Sequence, residues 1–161
     1  MQDGTGPLTV QEFKKMGKVE FKSLLHKIYG SNQLFGGSKF YQSLPALGID
    51  GTRPSDLRAK IYGLERIVNG KSVLDIGCNC GFLDMTIANT AKEITGLEYS
   101  KSLSDIAKIT ATYLGLKNIH FKQGDFVEYQ TEKKFDVIFY FAVHGWINLS
   151  AKEGVQKIKN L

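Results

Sequence analysis

The sequence predicts an α/β fold in which parallel strands form one sheet that helices cover on both faces. Two observations indicate this class. From residue 72 onward, short apolar segments alternate with segments of helical spacing. The apolar segments fit buried strands, and buried strands that alternate with helices indicate a parallel sheet covered on both faces. The 161 residues, 42% of them hydrophobic and 23% charged, are enough for one domain with a substantial core.

The first third of the chain has no such alternation and is expected to form an extension. Thr9 and Glu12 have capping-box spacing and begin a helical pattern that continues to residue 30, with a break near Gly17. Residues 31–53 contain glycines, aromatic residues and Pro45, which predict a structured loop. The expected units are an N-terminal helical and loop extension over 1–53 and the α/β domain over 54–161.

The α/β domain is expected to follow a strict order of elements. Ser55, Ser100 and Ser150 are candidate N-caps, and Asn69-Gly70 and Gly115 are candidate helix ends. The expected helices cover 56–68, 82–90, 100–114 and 150–160, and the expected strands cover 72–76, 93–97, 118–122 and 135–141.

The loop after the first of these strands carries the main functional signal. Its segment Val-Leu-Asp-Ile-Gly-Cys-Asn-Cys-Gly spans 73–81, and Gly77 and Gly81 let a ligand touch bare backbone. The helix that follows is expected to direct free N–H groups and its positive dipole end at that ligand. A P-loop lysine is missing, and Asn79 replaces the second glycine of G-x-G-x-x-G. Cys78 and Cys80 lack further ligands at metal spacing, so we expect small turn residues and no metal.

Acids follow three successive strands at Asp75, Glu98 and Asp125. Each alone also fits a solvated loop carboxylate. Together they outline a pocket, in which Glu98 accepts ribose hydroxyls and Asp125 reads an adenine amino group. Carboxylates suit a positively charged group such as a sulfonium, and no phosphate is expected beside them.

The pattern acid-x-Gly-x-x-x-Gly, followed by these two further acids, resembles the nucleotide loop of class I S-adenosylmethionine (SAM) dependent methyltransferases over residues 54–149. The resemblance implies a Rossmann-like methyltransferase sheet, SAM as cofactor and methyl transfer as the activity. In that family the loop holds the methionine end of SAM, the second-strand acid holds the ribose and the third-strand acid meets the adenine. The residues implied at the cofactor are Asp75, Gly77, Cys78, Asn79, Gly81, Glu98 and Asp125, with Tyr99 and Phe126 either flanking the adenine or packing in the core.

A narrower likeness lies upstream, in Ile-Asp-Gly-Thr-Arg-Pro-Ser-Asp-Leu-Arg and the residues after it, over 49–67. This segment resembles the one before the glycine loop in the tRNA wobble-uridine carboxymethyltransferase group, which uses a carboxylated SAM. Arg53 is then expected to hold that extra carboxylate or the ordinary SAM carboxylate. Alternatively, Arg53 and Asp56 stabilise the start of the helix.

The acceptor is expected over the end of the fourth strand, where the sequence reads Phe-Tyr-Phe-Ala-Val-His-Gly-Trp. His144 is the candidate base, Tyr140 offers an oxygen and Trp146 offers a stacking surface. Each also fits a structural role in the loop. A small molecule or an RNA is the expected acceptor. The net charge of +5 and the pI of about 9.1 fit a polyanion as well as a plain surplus of lysine.

Methyltransferases of this class have seven strands, of which the sequence shows four, so we expect a chain truncated after the fourth strand. The exposed edge of that strand is expected to allow a homodimer. No apolar run approaches the length of about 18 residues that spans a bilayer, so no membrane partner is expected, and the sparse cysteines suggest a cytoplasmic protein. Two alternatives stay open: a non-catalytic SAM- or nucleotide-binding regulatory module and an NAD-dependent oxidoreductase.

Overall fold

The computed structural model describes residues 10–30, 39–141, 143, 145 and 147–161. The helices in these ranges are α1 Val10–Lys15, α2 Lys18–Gly30, α3 Ser55–Tyr62, α4 Leu64–Val68, α5 Phe82–Ile87, α6 Lys101–Tyr113 and α7 Ala151–Lys159. The strands are β1 Phe40–Gln42, β2 Gly51–Arg53, β3 Ser72–Ile76, β4 Glu93–Glu98, β5 Ile119–Gln123 and β6 Val137–Phe139, with a short 3-10 turn over Pro45–Leu47. Within the described ranges, no helix is long and apolar enough to cross a bilayer.

The last four strands form a parallel sheet in the order β5-β4-β3-β6. From β3 the chain moves outward to β4 and β5, then returns to pair β6 with the other edge of β3. The connections therefore diverge beside β3, and a crevice opens at the carboxyl ends of the strands at such a point. The predicted parallel α/β sheet is confirmed.

The sheet is covered on both faces because successive side chains of β3 point to opposite sides. Val73 packs in a cluster that includes Phe21 of α2, Phe82 of α5 and Leu103 of α6. Leu74, by contrast, packs in a separate cluster with residues of α7. All five residues of β3 are buried, which explains why three of them are large and apolar on both faces of the strand.

The prediction of a loop over 31–53 is wrong for residues 39–53, the part that the structure describes. Residues 39–53 contain β1 and β2, which pair in parallel around the 3-10 turn. Their close approach requires a glycine, because a Cβ on Gly51 would lie 2.2 Å from the carbonyl carbon of Gln42. Phe40 joins the same hydrophobic cluster as Phe82, so the N-terminal segment and the α/β unit share a core. The domain boundary at residue 54 stays a prediction.

The predicted helix over 56–68 is two helices. Gly63 adopts a left-handed conformation, with φ of 61°, which ends α3 and begins α4. Pro54, rather than Ser55, is the N-cap, and the Ser55 N–H donates to Ser43 Oγ at 2.8 Å. The predicted caps Ser100 and Ser150 are confirmed, the latter in a capping box with Glu153.

Phe121 of β5 packs its ring into space that two glycines leave open. A Cβ on Gly81 would lie 2.3 Å from its Cζ, and a Cβ on Gly96 would lie 2.6 Å from its Cδ1. The Sγ of Cys78 also lies 2.8 Å from the Cβ position of Gly96. Core packing therefore requires small residues at both positions, whatever ligand the loop binds.

We predict that Gly96→Ala destabilises the protein by about 1 to 3 kcal/mol, because its methyl group overlaps the Phe121 ring on a central strand. Urea denaturation measures the change. Gly17→Ala is the control, since nothing lies within 4 Å of its Cβ position, and we expect a change within about 0.5 kcal/mol. The double variant Gly96→Ala, Phe121→Leu should recover part of the loss. Wild-type stability in Gly96→Ala would show that the packing is not tight.

Candidate functional site

The loop between β3 and α5 lies at the carboxyl end of the sheet, where the connections diverge. Its backbone is left-handed at every second residue, with φ of 74° at Gly77, 57° at Asn79 and 66° at Gly81. Asparagine is one of the few residues that adopt this conformation readily. The Asn79 Oδ1 atom also accepts a hydrogen bond from the Cys80 N–H at 2.9 Å. Asn79 thus takes a conformation that usually requires glycine and adds a side-chain bond within the turn.

Every backbone N–H from residue 77 to residue 82 already has an acceptor inside the protein. The loop itself therefore offers a ligand no free N–H group as far as Phe82, the first residue of α5, and the expectation for the N–H groups further into that helix stays a prediction. The N–H groups of Gly77 and Cys78 donate to the Leu97 carbonyl, that of Asn79 to the Glu98 carboxylate, that of Cys80 to the Asn79 side chain, that of Gly81 to the Cys78 carbonyl and that of Phe82 to the Gln42 side chain.

Glu98, the predicted ribose ligand, joins the loop to the next strand. Its side chain is 9% exposed, and its two oxygens accept from the N–H groups of Asn79 and Ser100, each at 2.8 Å. Burial raises the pKa of Glu98, and the backbone N–H groups partly offset that rise. Each carboxylate oxygen has a second lone pair, so Glu98 keeps the capacity to accept a hydroxyl.

Asp75 contacts a second buried acid that the sequence did not single out. Asp84 of α5 is 0% exposed, and its carboxyl lies within hydrogen-bonding reach of the Asp75 carboxyl. Among the described residues, no hydrogen-bond donor lies within bonding distance of either oxygen of an ionised Asp84 carboxylate. Two carboxyls form a hydrogen bond only when one of them is protonated, so this contact favours a state in which one of the pair is neutral. Burial raises the pKa of Asp75 to about 7, and burial together with Asp75 raises the pKa of Asp84 well above its ordinary value.

Cys78 and Cys80 are both buried, unpaired thiols. Burial raises the pKa of each well above its ordinary value, and nearby carboxylates, Asp84 for Cys78 and Glu98 for Cys80, raise it further. Protonated thiols are poor nucleophiles and poor metal ligands. Across the described ranges, no group of three or more His, Cys, Asp or Glu residues is placed to hold a metal ion.

The acid after the third strand of the sheet shapes its own turn. Asp125 Oδ1 accepts from the Val127 N–H at 2.7 Å, and a surface depression of about 410 Å³ lies beside it. A second depression of the same volume lies between Tyr129 and α7, away from the glycine loop, and no predicted site residue lines it. The Phe126 ring packs in the core, whereas the Tyr99 ring is 71% exposed. Of the two, Tyr99 is the ring free to contact a ligand.

Of the predicted acceptor residues, the structure describes Tyr140, which directly follows β6. The Tyr140 hydroxyl is buried without a hydrogen-bond partner in the described part, 2.7 Å from the Cβ position of Gly154 in α7. This burial does not favour direct contact with an acceptor. His144 and Trp146 lie outside the described residues. Val143 contacts the loop, since a Cβ on Gly77 would lie 2.2 Å from its Cγ1, so the segment after β6 reaches the glycine loop.

Arg53 is exposed on β2, in register with Gln42 of β1. The Gln42 side chain bonds to both ends of the glycine loop, which places the backbone of Arg53 near the site. Arg58 of α3 lies with its guanidinium 5.8 Å from the centre of the Phe141 ring, and its charge partly offsets the raised pKa of Asp75. Of the residues that sequence reasoning missed, only Asp84 had a local signal, an acid within the apolar segment Phe-Leu-Asp-Met.

Comparison with known proteins identifies the family. Residues 67–157, more than half of the chain, match the family described as Methyltransferase domain. The chain belongs to the methyltransferase domain family. The predictions of this family and of its Rossmann-like sheet are therefore confirmed. The narrower likeness to the tRNA wobble-uridine group stays a prediction, as do the roles of the individual site residues.

Curated methyltransferases match this domain over part of their length. The U6 snRNA methylphosphate capping enzyme Amus of Drosophila melanogaster is 30% identical over 136 residues, which cover 74% of this chain and 44% of that protein. A ubiquinone biosynthesis O-methyltransferase of Coxiella burnetii is 36% identical over 84 residues, covering 51% of this chain and 35% of that protein. The chain thus spans less than half the length of these relatives.

Solved structures agree with this assignment. A SAM-dependent methyltransferase from Thiobacillus denitrificans, in complex with S-adenosyl-L-homocysteine, is 28% identical with a TM-score of 0.55, over 66% of this chain and 43% of that one. The crystal structure of WbdD matches 84% of this chain and 34% of that one, with a TM-score of 0.64 at 18% identity, which shows a shared fold.

We predict that Asp84→Asn makes the stability of this methyltransferase domain less sensitive to pH. Both carboxyls have raised pKa values, so the folded state binds more protons than the unfolded state. The contribution of this pair to stability is then greatest at acidic pH and is lost as pH rises through about 7, the pKa of Asp75. An asparagine amide donates to Asp75 without a proton, so we expect little change at pH 5 and a Tm higher by about 3 to 6 °C at pH 8.

Thermal unfolding followed by circular dichroism across pH 5 to 8 measures this effect. The control is Asp105→Asn, which removes an exposed carboxylate on α6 and should keep the wild-type pH profile. Parallel profiles for Asp84→Asn and wild type would show that no proton is shared between Asp75 and Asp84.

Proposed function

We propose that this chain binds SAM at the loop over 77–81 and transfers its methyl group to a nucleophilic acceptor. Membership of the methyltransferase domain family supports the proposal. The buried acids beside the loop supply the negative charge that a sulfonium cation requires.

One observation favours this ligand over a dinucleotide. Loops that bind phosphate do so with free backbone N–H groups at a helix N-terminus. Here the N–H groups from residue 77 to residue 82 are already bonded, two of them to the side chains of Glu98 and Gln42. A pyrophosphate placed against residues 77–82 would meet the Glu98 carboxylate and find no free donor in that stretch. The NAD-dependent oxidoreductase is therefore the weaker alternative.

The proposed contacts follow the order of the strands. The loop from Gly77 to Gly81, with Cys78 and Asn79, would pack against the methionine end, and Arg53 would hold its carboxylate. Glu98 would accept from the ribose, and Asp125 with the exposed Tyr99 would meet the adenine. When bound, SAM supplies an electrophilic methyl group, and the chain's contribution is to hold the acceptor in line with it. We retain His144 as the proposed base.

RNA is the acceptor class to test first. The relative whose name includes an RNA, the U6 snRNA methylphosphate capping enzyme, aligns with 74% of this chain. The net charge of +5 also suits a polyanion. Small-molecule acceptors are the second class, since another relative is named a ubiquinone biosynthesis O-methyltransferase. Both classes offer a nucleophilic oxygen.

We predict that isothermal titration calorimetry shows binding of SAM and S-adenosyl-L-homocysteine, at dissociation constants of roughly 1 to 100 μM, and none of NAD. Glu98→Gln should weaken SAM binding by about tenfold. The N–H groups of Asn79 and Ser100 use both carboxylate oxygens of Glu98, whereas a glutamine amide has only one acceptor oxygen. Glu65→Gln, on the exposed face of α4, is the matched control and should bind normally. Binding of NAD but not SAM would refute the proposal.

Incubation with SAM labelled in the methyl group separates an enzyme from a regulatory module. We expect label in total RNA, with a mixture of small metabolites as the second pool. The chain would be a binding module if it bound SAM with the predicted affinity yet labelled neither pool.

We also propose that two copies of the chain associate beside β6, whose outer edge has no partner strand in the described residues. Exposed apolar side chains of α3 support this, since Ile61 is 67% exposed and the ring of neighbouring Tyr62 lies 5.7 Å from that of Phe141, just past β6. We predict a dimer by analytical ultracentrifugation that Ile61→Lys dissociates and Val19→Lys, on exposed α2, does not. A wild-type monomer at about 100 μM, far above the dissociation constant of a specific dimer, would contradict this.

A further inference from the structure

Gln42 contacts the glycine loop from outside the region that matches the family. It lies on β1, 25 residues before the matched region begins at residue 67, and its side chain is 5% exposed. Its Nε2 donates to the Cys78 carbonyl at 3.3 Å, and its Oε1 accepts from the Phe82 N–H at 2.9 Å. One side chain therefore joins the start of the loop to the first residue of α5.

This arrangement uses both halves of the amide. The group of Cys78 that faces Gln42 is its carbonyl, an acceptor, and the group of Phe82 is its N–H, a donor. The side chain that bridges them must therefore donate at one atom and accept at the other. Both backbone groups are buried, and each would lose its only described partner outside the loop if the amide were removed. The Cys78 carbonyl would keep the Gly81 N–H, but the Phe82 N–H would have no described partner, and an unpaired buried N–H is costly, so the loop would rearrange.

The backbone of Gln42 is itself held in place. It pairs in register with Arg53 of β2, and the missing side chain of Gly51 lets the two strands approach closely. On either side, the Tyr41 N–H donates to the Tyr29 hydroxyl at 3.1 Å and the Ser43 N–H donates to the Arg53 carbonyl at 3.2 Å. A side chain on such a support has little freedom to move away from the loop.

We infer that Gln42 is a positioning residue: it sets the shape of the glycine loop, and through that shape the affinity for the cofactor. The second half of this inference, on the affinity for the cofactor, rests on the proposed function because it takes SAM as the ligand. Its first half concerns the loop alone and holds with or without a ligand. The N-terminal segment is then a working part of the site and not an appendage.

Two variants of the 161-residue chain test the inference. Gln42→Met keeps the length and shape of the side chain and loses both hydrogen bonds. Gln42→Glu keeps an acceptor for Phe82 and loses the donor to Cys78. The control is Thr52→Val, which removes a bond from Thr52 Oγ1 to the Tyr41 carbonyl in the same β1–β2 unit without touching the loop.

Amide hydrogen exchange at Phe82, measured by NMR, reports on the loop without any ligand. We expect exchange roughly tenfold faster in Gln42→Met and near wild type in Gln42→Glu and Thr52→Val. Calorimetry with SAM should show roughly tenfold weaker binding for Gln42→Met and no change for Thr52→Val.

The outcomes separate the two proposals. Unchanged Phe82 exchange in Gln42→Met overturns the inference. Faster exchange with unchanged SAM affinity overturns its second half and leaves the proposed function standing. If the wild-type chain binds no SAM, the proposed function fails, and the exchange at Phe82 still decides whether Gln42 sets the loop.

Discussion

The hydrogen bonding of one short stretch of buried backbone determines the rest of the site. A turn that is left-handed at Gly77, Asn79 and Gly81 cannot satisfy its own N–H groups by helix or sheet pairing. The neighbouring strand supplies the Leu97 carbonyl and the Glu98 carboxylate, and the N-terminal unit supplies Gln42. The loop is therefore held by three separate parts of the chain, and its native hydrogen bonds require all three to be in place.

The hydrogen bonds that the N–H groups of the loop make within the protein also determine the electrostatic character of the site. Because the N–H groups of residues 77–82 are already bonded, this stretch offers a ligand backbone surface and carbonyl oxygens, with the Glu98 carboxylate beside it. Asp75, Asp84 and Glu98 are close enough that their charges raise one another's pKa values or those of the adjacent thiols. A site of this kind repels phosphate and attracts positive charge, although it stands at the same point of an α/β sheet where dinucleotides bind in other proteins.

Much of the fold was predictable because its signals are local. Buried parallel strands such as β3 read as short apolar runs, and the caps at Ser100 and Ser150 have their partners within a few residues. The break of the third helix at Gly63 and the β1–β2 pair were missed, since a single glycine inside a helical pattern and strands of three residues carry weak signals.

The site was predictable in outline and not in its contacts. The carboxyl ends of adjacent parallel strands lie at one edge of a sheet, so the placing of Asp75, Glu98 and Asp125 at that edge follows from topology. Gln42 shows no such regularity, because its partners are 36 and 40 residues away and nothing in its neighbourhood marks it. The burial of the Tyr140 hydroxyl likewise depends on where α7 returns, which no spacing in the sequence specifies.

The carboxyl pair of Asp75 and Asp84 has one more consequence. A cation that settles beside the loop favours the ionised form of both acids, and the proton between them is released to solvent. The heat measured for such an association then contains the enthalpy with which the buffer takes up that proton, so phosphate and Tris solutions yield different apparent enthalpies for the same event.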